Sequence, residues 1–130
     1  MVRWLVVAVL FSLVLPLIAR ADPCTARLPS PNVRFEGTVR YVGDGDSLCV
    51  GPGGDPSTWI EVRLADFSAP ELHDPGGRQA KAMLADLTFG RHLVCRGQKH
   101  SYDRVVAYCL LGSRSVGDLL RARGGVEGGN

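Results

Sequence analysis

Carboxylates and arginines recur in short stretches that each adjoin a predicted strand. Asp44 and Asp46 stand two residues apart in a Gly-Asp-Gly-Asp-Ser turn, and Arg63 and Arg104 lie in two later stretches of alternating or continuous apolar residues. Two carboxylates in a glycine-rich turn can converge on a hard cation, which prefers oxygen ligands. Asp-Gly pairs are also typical of hairpin turns, so these residues alone leave a plain turn and a solvated strand face as alternatives.

The segment 59–71 must position much of this chemistry. Ile60, Val62 and Leu64 alternate with Glu61 and Arg63, which predicts a strand with one apolar and one charged face. A proline cannot donate to a strand ladder, so the turn at Ala69-Pro70 ends the strand. Three polar side chains are left near the strand end, where loops on a rigid scaffold often carry function: Asp66, Ser68 and Glu71.

The remaining pattern predicts one small, mainly β domain. We expect strands over 33–42, 48–50, 60–65, 92–96 and 105–111, a helix over 78–88 with an apolar face, and a short final helix over 116–123. The predicted organisation is a leader over residues 1–21, a lead-in over 22–32, the folded domain over 33–123 and a flexible Gly-rich tail over 124–130.

The first 21 residues have the pattern of a signal peptide. A basic start at Arg3 is followed by an apolar run to Ile18 and by Ala19-Arg20-Ala21, a small-x-small cleavage site. The apolar run is short for a spanning helix, although an uncleaved anchor is an alternative. We therefore expect an exported protein, periplasmic or extracellular, with no stable membrane association after cleavage near Asp22.

The chain has four cysteines, Cys24, Cys49, Cys95 and Cys109, all beyond the predicted leader. An even number in a small exported domain predicts two disulfides, and zinc binding is disfavoured because no Cys-x-x-Cys pair occurs. Three pairings are possible. We favour Cys95 with Cys109, because they lie on the two strands that flank a predicted connection over 97–103.

Four motifs in order resemble the thermonuclease, or staphylococcal nuclease-like, family. They are Asp-Gly-Asp-Ser at 44–47, Val-Arg-Leu at 62–64 followed after five residues by Pro-Glu, a helix rich in alanine, and Tyr-x-Arg-Val-Val-Ala at 102–107. The resemblance covers about residues 37–124. It implies an α+β fold that is mainly β, a five-stranded barrel of the oligonucleotide/oligosaccharide-binding (OB) type with one main helix and a short C-terminal helix. It also implies calcium-dependent hydrolysis of phosphodiester bonds in DNA or RNA by an exported monomer.

The resemblance assigns roles to individual residues. Arg63 and Arg104 match the family's phosphate-binding arginines, Glu71 its proposed water-activating glutamate, and Tyr102 a tyrosine near the nucleotide phosphate. Asp46 matches the first calcium-ligating aspartate, and Asp44 matches an aspartate just outside the ligand set.

One ligand position departs from the family pattern. The second calcium-ligating aspartate would fall at Ser68, whose neutral hydroxyl is a poorer calcium ligand than a carboxylate. Asp66 could substitute, because residues two apart on an extended chain share a face. It would, however, displace the carboxylate by roughly 6.5 Å along a strand.

Net charge gives little general attraction to nucleic acid. Residues 22–130 hold 13 basic and 13 acidic residues, but residues 22–77 hold four basic and nine acidic ones, whereas residues 78–130 hold nine and four.

Three hypotheses stay open: an exported calcium-dependent nuclease, an inactive nuclease-like barrel that binds nucleic acid or another ligand, and a disulfide-stapled structural module. The set Asp46, Arg63, Glu71 and Arg104 favours the first; Ser68, the neutral charge and Asp103 beside Arg104 favour the second.

Overall fold

A computed structural model describes residues 22–128 of the protein as six strands and two α-helices. In chain order these are β1 (Arg34–Val42), β2 (Ser47–Gly51), a 3-10 turn (Pro56–Thr58), β3 (Ile60–Leu64), α1 (Gly77–Thr88), β4 (His92–Ser101), β5 (Arg104–Leu111), β6 (Arg114–Ser115) and α2 (Val116–Ala122). The predicted signal peptide lies outside the described residues. Within residues 22–128, no helix is long and apolar enough to cross a membrane.

Five strands close into a barrel. Their order is β3-β2-β1-β4-β5, all neighbours are antiparallel, and β3 and β5 then pair in parallel to close the sheet. In that closing pair Val62 lies opposite Val105 and Arg63 opposite Val106. The OB-type, mainly β fold with two helices is therefore confirmed, and both candidate arginines lie on the strands that close it.

The alternating residues of the strands fill the barrel. Leu48, Val62, Leu64, Leu93 and Val105 are completely buried, and α1 closes one end of the barrel with Leu84 and Leu87, which join the same apolar cluster. Each of these side chains contributes about 1.5–3 kcal/mol by leaving water. The loop 65–71 and α1 therefore rest on a rigid support.

The β4–β5 hairpin differs from the prediction. Strand β4 does not end at Arg96 but continues to Ser101 through a bulge between Gly97 and Lys99, and only Tyr102 and Asp103 connect it to β5. The sequence Gly-Gln-Lys-His-Ser lacks an apolar alternation, because this part of β4 projects beyond the core and buries little on either face. The hairpin is consequently a long ribbon that extends past the barrel.

Two disulfides bridge the described chain, as predicted. Cys95 is bonded to Cys109, its direct partner across β4 and β5, and Cys24 is bonded to Cys49 of β2. The second bridge holds the lead-in against the barrel, where Ala26 N–H also donates to the Trp59 carbonyl at 3.0 Å. Asp22 is thereby placed beside β1 and β3.

Candidate active site

The turn between β1 and β2 is built by Asp44. Its Oδ1 accepts hydrogen bonds from the Asp46 N–H at 3.0 Å and from Ser47 Oγ at 2.7 Å. Gly45 lies so close to α1 and to the loop after β3 that an added Cβ would stand 2.5 Å from the Cβ atoms of Ala69 and Ala80. Only glycine fits there, and the turn presents Asp46 directly to the loop after β3.

Asp46 is a buried carboxylate, 7% exposed, at the centre of the site. Its Oδ2 accepts a hydrogen bond from the Ala69 N–H at 2.8 Å and lies 3.3 Å from Arg63 Nη2. Burial raises the pKa of Asp46 to about 6, and the negative charge of Asp44 adds to the rise, while the Ala69 N–H and Arg63 oppose it. The buried carboxylate therefore depends on Arg63 and Ala69 to remain charged.

Arg63 is the most heavily bonded side chain of the site. Its Nη1 donates to the carbonyls of Leu64 and Phe67, and its Nη2 donates to Ser68 Oγ at 2.9 Å and faces Asp46. Four of the five guanidinium N–H groups are thus directed at partners within the described chain. Arg63 connects the loop 64–68 to the β1–β2 turn. A phosphate would therefore have to compete with these partners for the N–H groups of Arg63.

Arg104 is the less restrained of the two arginines. Within residues 22–128 it has no hydrogen bond or ion pair to another side chain, and its neighbour Asp103 is not ion-paired to it. Arg104 and Arg63 line one polar surface cavity of about 370 Å³ with Ser68 and Ser101. The structure therefore brings both predicted arginines to one concave site, with the free guanidinium of Arg104 available to an anion.

Glu61 is a site neighbour that the sequence pattern does not reveal. The alternation of β3 puts it on the charged face, but the lead-in covers it, and it is only 6% exposed. Its pKa is raised to about 7, chiefly by burial and then by a hydrogen bond and the charge of Asp22 and the charge of Asp103, while the charge of Arg104 opposes the rise. The pKa of Tyr41 is raised as well, first by burial and then by Asp22. No motif signals this cluster, because it depends on where the lead-in is pinned.

The other candidate residues lie at different distances from this centre. Glu71 is exposed in the loop after Pro70, and Tyr102 is 98% exposed at the tip of the β4–β5 ribbon with a φ of 58°. Asp66 lies against α2, where an added Cβ on Gly117 would stand 2.5 Å from Asp66 Oδ2. Ser68, in contrast, contacts Arg63 and lines the cavity. The structure thus groups Asp46, Arg63, Ser68 and Arg104, and it directs the Asp66 side chain towards α2.

The side chains near the cavity offer few oxygen ligands to a calcium ion. Calcium takes six to eight oxygen ligands, usually with several carboxylates. Among residues 22–128, no three His, Cys, Asp or Glu side chains are grouped so that they could hold a metal ion. At the cavity Asp46 supplies one carboxylate, already engaged by Ala69 and Arg63, and Ser68 supplies a hydroxyl. These side chains alone do not fit a calcium cage of the kind that the resemblance implies.

The segment after α2 folds back against the loop that follows β3. The Gly128 N–H donates to the Ser68 carbonyl at 3.0 Å, and Arg121 binds Glu127 at 3.2 Å, Asp118 at 3.0 Å and the Asp66 carbonyl. Arg121 also lies 5.6 Å from the centre of the Phe67 ring, within cation–π range. Arg121 therefore contacts both the loop 66–68 and the segment after α2.

The fold and site together define an OB-type barrel with an arginine-lined polar cavity beside a buried aspartate. Residues of this chain are 36% identical over 77 positions to a protein of Haemophilus influenzae named an uncharacterized endonuclease, a match that covers 57% of this chain and 42% of the relative. The matched region thus spans less than half of the relative's length. No family model matches the chain. The similarity supports a nuclease-like relationship.

Proposed function

We propose that this protein is a nuclease of the thermonuclease type that hydrolyses phosphodiester bonds in DNA or RNA. The observation that carries the proposal is the shared cavity of Arg63 and Arg104 beside the buried carboxylate of Asp46. Paired guanidinium groups match the oxygens of a phosphodiester and can bind them with charge-assisted hydrogen bonds. The named similarity to an endonuclease agrees with this chemistry.

In the proposed reaction, Arg104 binds a non-bridging oxygen of the scissile phosphate. Arg63 shares the growing negative charge as its N–H groups turn from Ser68 towards the phosphate. The resemblance assigns to Glu71, exposed in the loop after Pro70, the proton of the attacking water; the new P–O bond forms, and the bond to the leaving oxygen breaks as that oxygen takes a proton from solvent. Asp46 keeps Arg63 oriented through the 3.3 Å contact.

Export and calcium dependence are also part of the proposal, and each has its own support. Export rests on the leader pattern, and calcium rests on the resemblance, to which the described residues contribute the Asp46 carboxylate and the Ser68 hydroxyl. A site with one carboxylate is expected to bind calcium weakly, and the activity of the natural protein is expected to be low.

The experiment is cleavage of fluorescent DNA and RNA oligonucleotides by purified residues 22–130, with calcium titrated against a chelator. Ser68→Asp restores a carboxylate at the cavity and should increase both calcium affinity and cleavage. Asp66→Ala should leave cleavage unchanged, because the Asp66 carboxylate lies against Gly117 rather than in the cavity. Asp86→Ala, which removes an exposed carboxylate of α1, is the matched control.

Two results would contradict the proposal. Loss of cleavage in Asp66→Ala with a folded protein would mean that Asp66, and not the cavity residues alone, supports the metal. If wild type and Ser68→Asp neither bind calcium nor cleave the oligonucleotides, the proposal that the protein is a nuclease is wrong.

A second candidate function is an inactive barrel that binds nucleic acid or another ligand. It is favoured by the Arg63 guanidinium, which is engaged with Leu64, Phe67, Ser68 and Asp46. An arginine bonded in this way holds a loop and has few N–H groups left to bind a transition state. Oligonucleotide binding in chelator, with no cleavage at any calcium concentration, would identify this case.

A further inference from the structure

Strands β4 and β5 carry positive charge without any carboxylate. Strand β4 contains Arg96 and Lys99 as well as two histidines, strand β5 begins with Arg104, and neither strand has an aspartate or glutamate. The nearest acid in sequence is Asp103 in the turn between them. Because opposite charges are absent along both strands, this outer surface attracts polyanions more strongly than the near-neutral chain as a whole.

An aromatic side chain lies at the centre of this surface. Arg34, Arg96 and Tyr108 are direct cross-strand partners on β1, β4 and β5, so their side chains form one row on the outer face. Tyr108 is 41% exposed and borders a groove of about 500 Å³ with Arg34, Arg96 and Gln98. Arg34 is already paired with Glu36 at 2.7 Å, so Arg96 and Tyr108 are the residues on which binding would depend.

This groove is continuous with the candidate active site. Gln98, in the bulge of β4, borders both the groove at Tyr108 and the cavity of Arg63 and Arg104. Arg104 and Tyr108 lie on the same outer face of β5, four residues apart, which corresponds to about 13 Å along a strand. At a stacked rise of about 3.4 Å per nucleotide, that distance is roughly four nucleotides, and fewer in an extended strand.

We propose that the outer face of β4 and β5 is a binding track for single-stranded nucleic acid, which runs from the Arg63–Arg104 cavity over Gln98 to a base that stacks on Tyr108 beside Arg96. This inference rests on the proposed function for the identity of the ligand. An aromatic platform in a basic groove suits single strands, whose bases are free to stack. A duplex hides its bases, so it could use the charges of the track but not Tyr108.

The test is fluorescence anisotropy of labelled oligo(dT) and oligo(U) in chelator, where binding is measured without cleavage. Tyr108→Ala should weaken binding of a 10-nucleotide strand by about tenfold, since one base stack corresponds to about 5- to 150-fold in affinity. Tyr108→Phe keeps the ring and should bind as wild type. A mononucleotide held at the cavity is too short to reach Tyr108, so Tyr108→Ala should not change the affinity of the cavity for a nucleoside monophosphate.

Arg96 gives a second, independent readout. Arg96→Ala should reduce the slope of log affinity against log salt by about 0.7, as expected for one lost phosphate contact on a single strand, whereas Tyr108→Ala should leave the slope unchanged. Two matched controls should bind as wild type: Phe89→Ala removes another exposed aromatic, at the end of α1, and Arg123→Ala removes an exposed arginine of the α2 end that pairs with Asp86.

The outcomes separate this inference from the proposed function. If Tyr108→Ala and Arg96→Ala bind the 10-nucleotide strand as wild type does, or if wild type does not bind it, the track is overturned, whether or not the wild type cleaves. Equal losses in the control variants, or an equal effect of Tyr108→Ala on duplex, also overturn it. If both effects appear but wild-type protein with calcium never cleaves, the track stands and the nuclease proposal fails.

Discussion

Glu61→Gln should stabilise the protein at neutral and alkaline pH. The ordinary pKa of Glu61 is 4.5, and in the fold it is raised to about 7, chiefly by burial and then by Asp22. Between these values the folded protein keeps a proton that the unfolded chain releases, so stability is fully present below pH 4.5 and is lost as pH rises through 7. At 1.36 kcal/mol per pH unit, the loss for Glu61 is about 3 kcal/mol as an upper estimate. Glutamine cannot ionise, so this loss should be absent from the variant.

The measurement is the free energy of unfolding by urea at pH 4.5, 6, 7 and 8, for wild type and variant. Their difference should grow by about 2–3 kcal/mol from the lowest to the highest pH. Asp46, whose pKa is also raised, contributes the same loss to both proteins and cancels. Glu36→Gln, an exposed glutamate of β1, is the matched control and should show no such change. A constant difference between wild type and Glu61→Gln across this range would refute the burial argument.

Three further predictions follow from the site and the bridges. Arg104→Ala should lower turnover by about 100-fold without altering the unfolding midpoint, whereas Arg63→Ala should lower both, because only Arg63 holds the loop 64–68; wild-type turnover in either variant would contradict its role. Arg121→Ala should speed hydrogen exchange at the Gly128 amide, and unchanged exchange would mean that the Glu127 contact does not hold the segment. Thiol titration of denatured, unreduced protein should find no free cysteine, and reduction should cost about 2–4 kcal/mol per bridge; two or more free thiols would contradict the pairing.

The barrel was predictable because its strands carry local signals. Strand β3 begins at Ile60, where the predicted alternation begins, and α1 begins one residue before the predicted start. Period-2 and period-3.6 patterns mark elements that bury one face. The extension of β4 past Arg96 was missed because polar residues form that part of the ribbon. The burial of Glu61 was missed because the lead-in that covers it is positioned by the Cys24–Cys49 bridge, a long-range constraint.

The predicted site was accessible to sequence reasoning only in part. Asp46, Arg63 and Arg104 could be grouped from motif order. The structure places Arg63 and Arg104 around one cavity, and Asp46 contacts Arg63 beside it. The engagement of Arg63 by the carbonyls of Leu64 and Phe67 could not be foreseen, because backbone partners leave no mark in residue type. Motif order thus located the site, while the hydrogen bonds decide how much of each arginine is available.

The parallel pairing of β3 with β5 has a consequence for the order of folding. It joins residues 62–64 to 105–107, and like the pairing of β1 with β4 it is a non-local contact of the barrel; contacts of this kind form late because a long chain segment must first be closed. Arg63 lies within this seam and Arg104 directly before it. A chain that has formed its hairpins but not this seam has no cavity, and recovery of activity after refolding should follow the slowest barrel-closing phase. A site assembled across this strand pair can therefore work only after the barrel has closed.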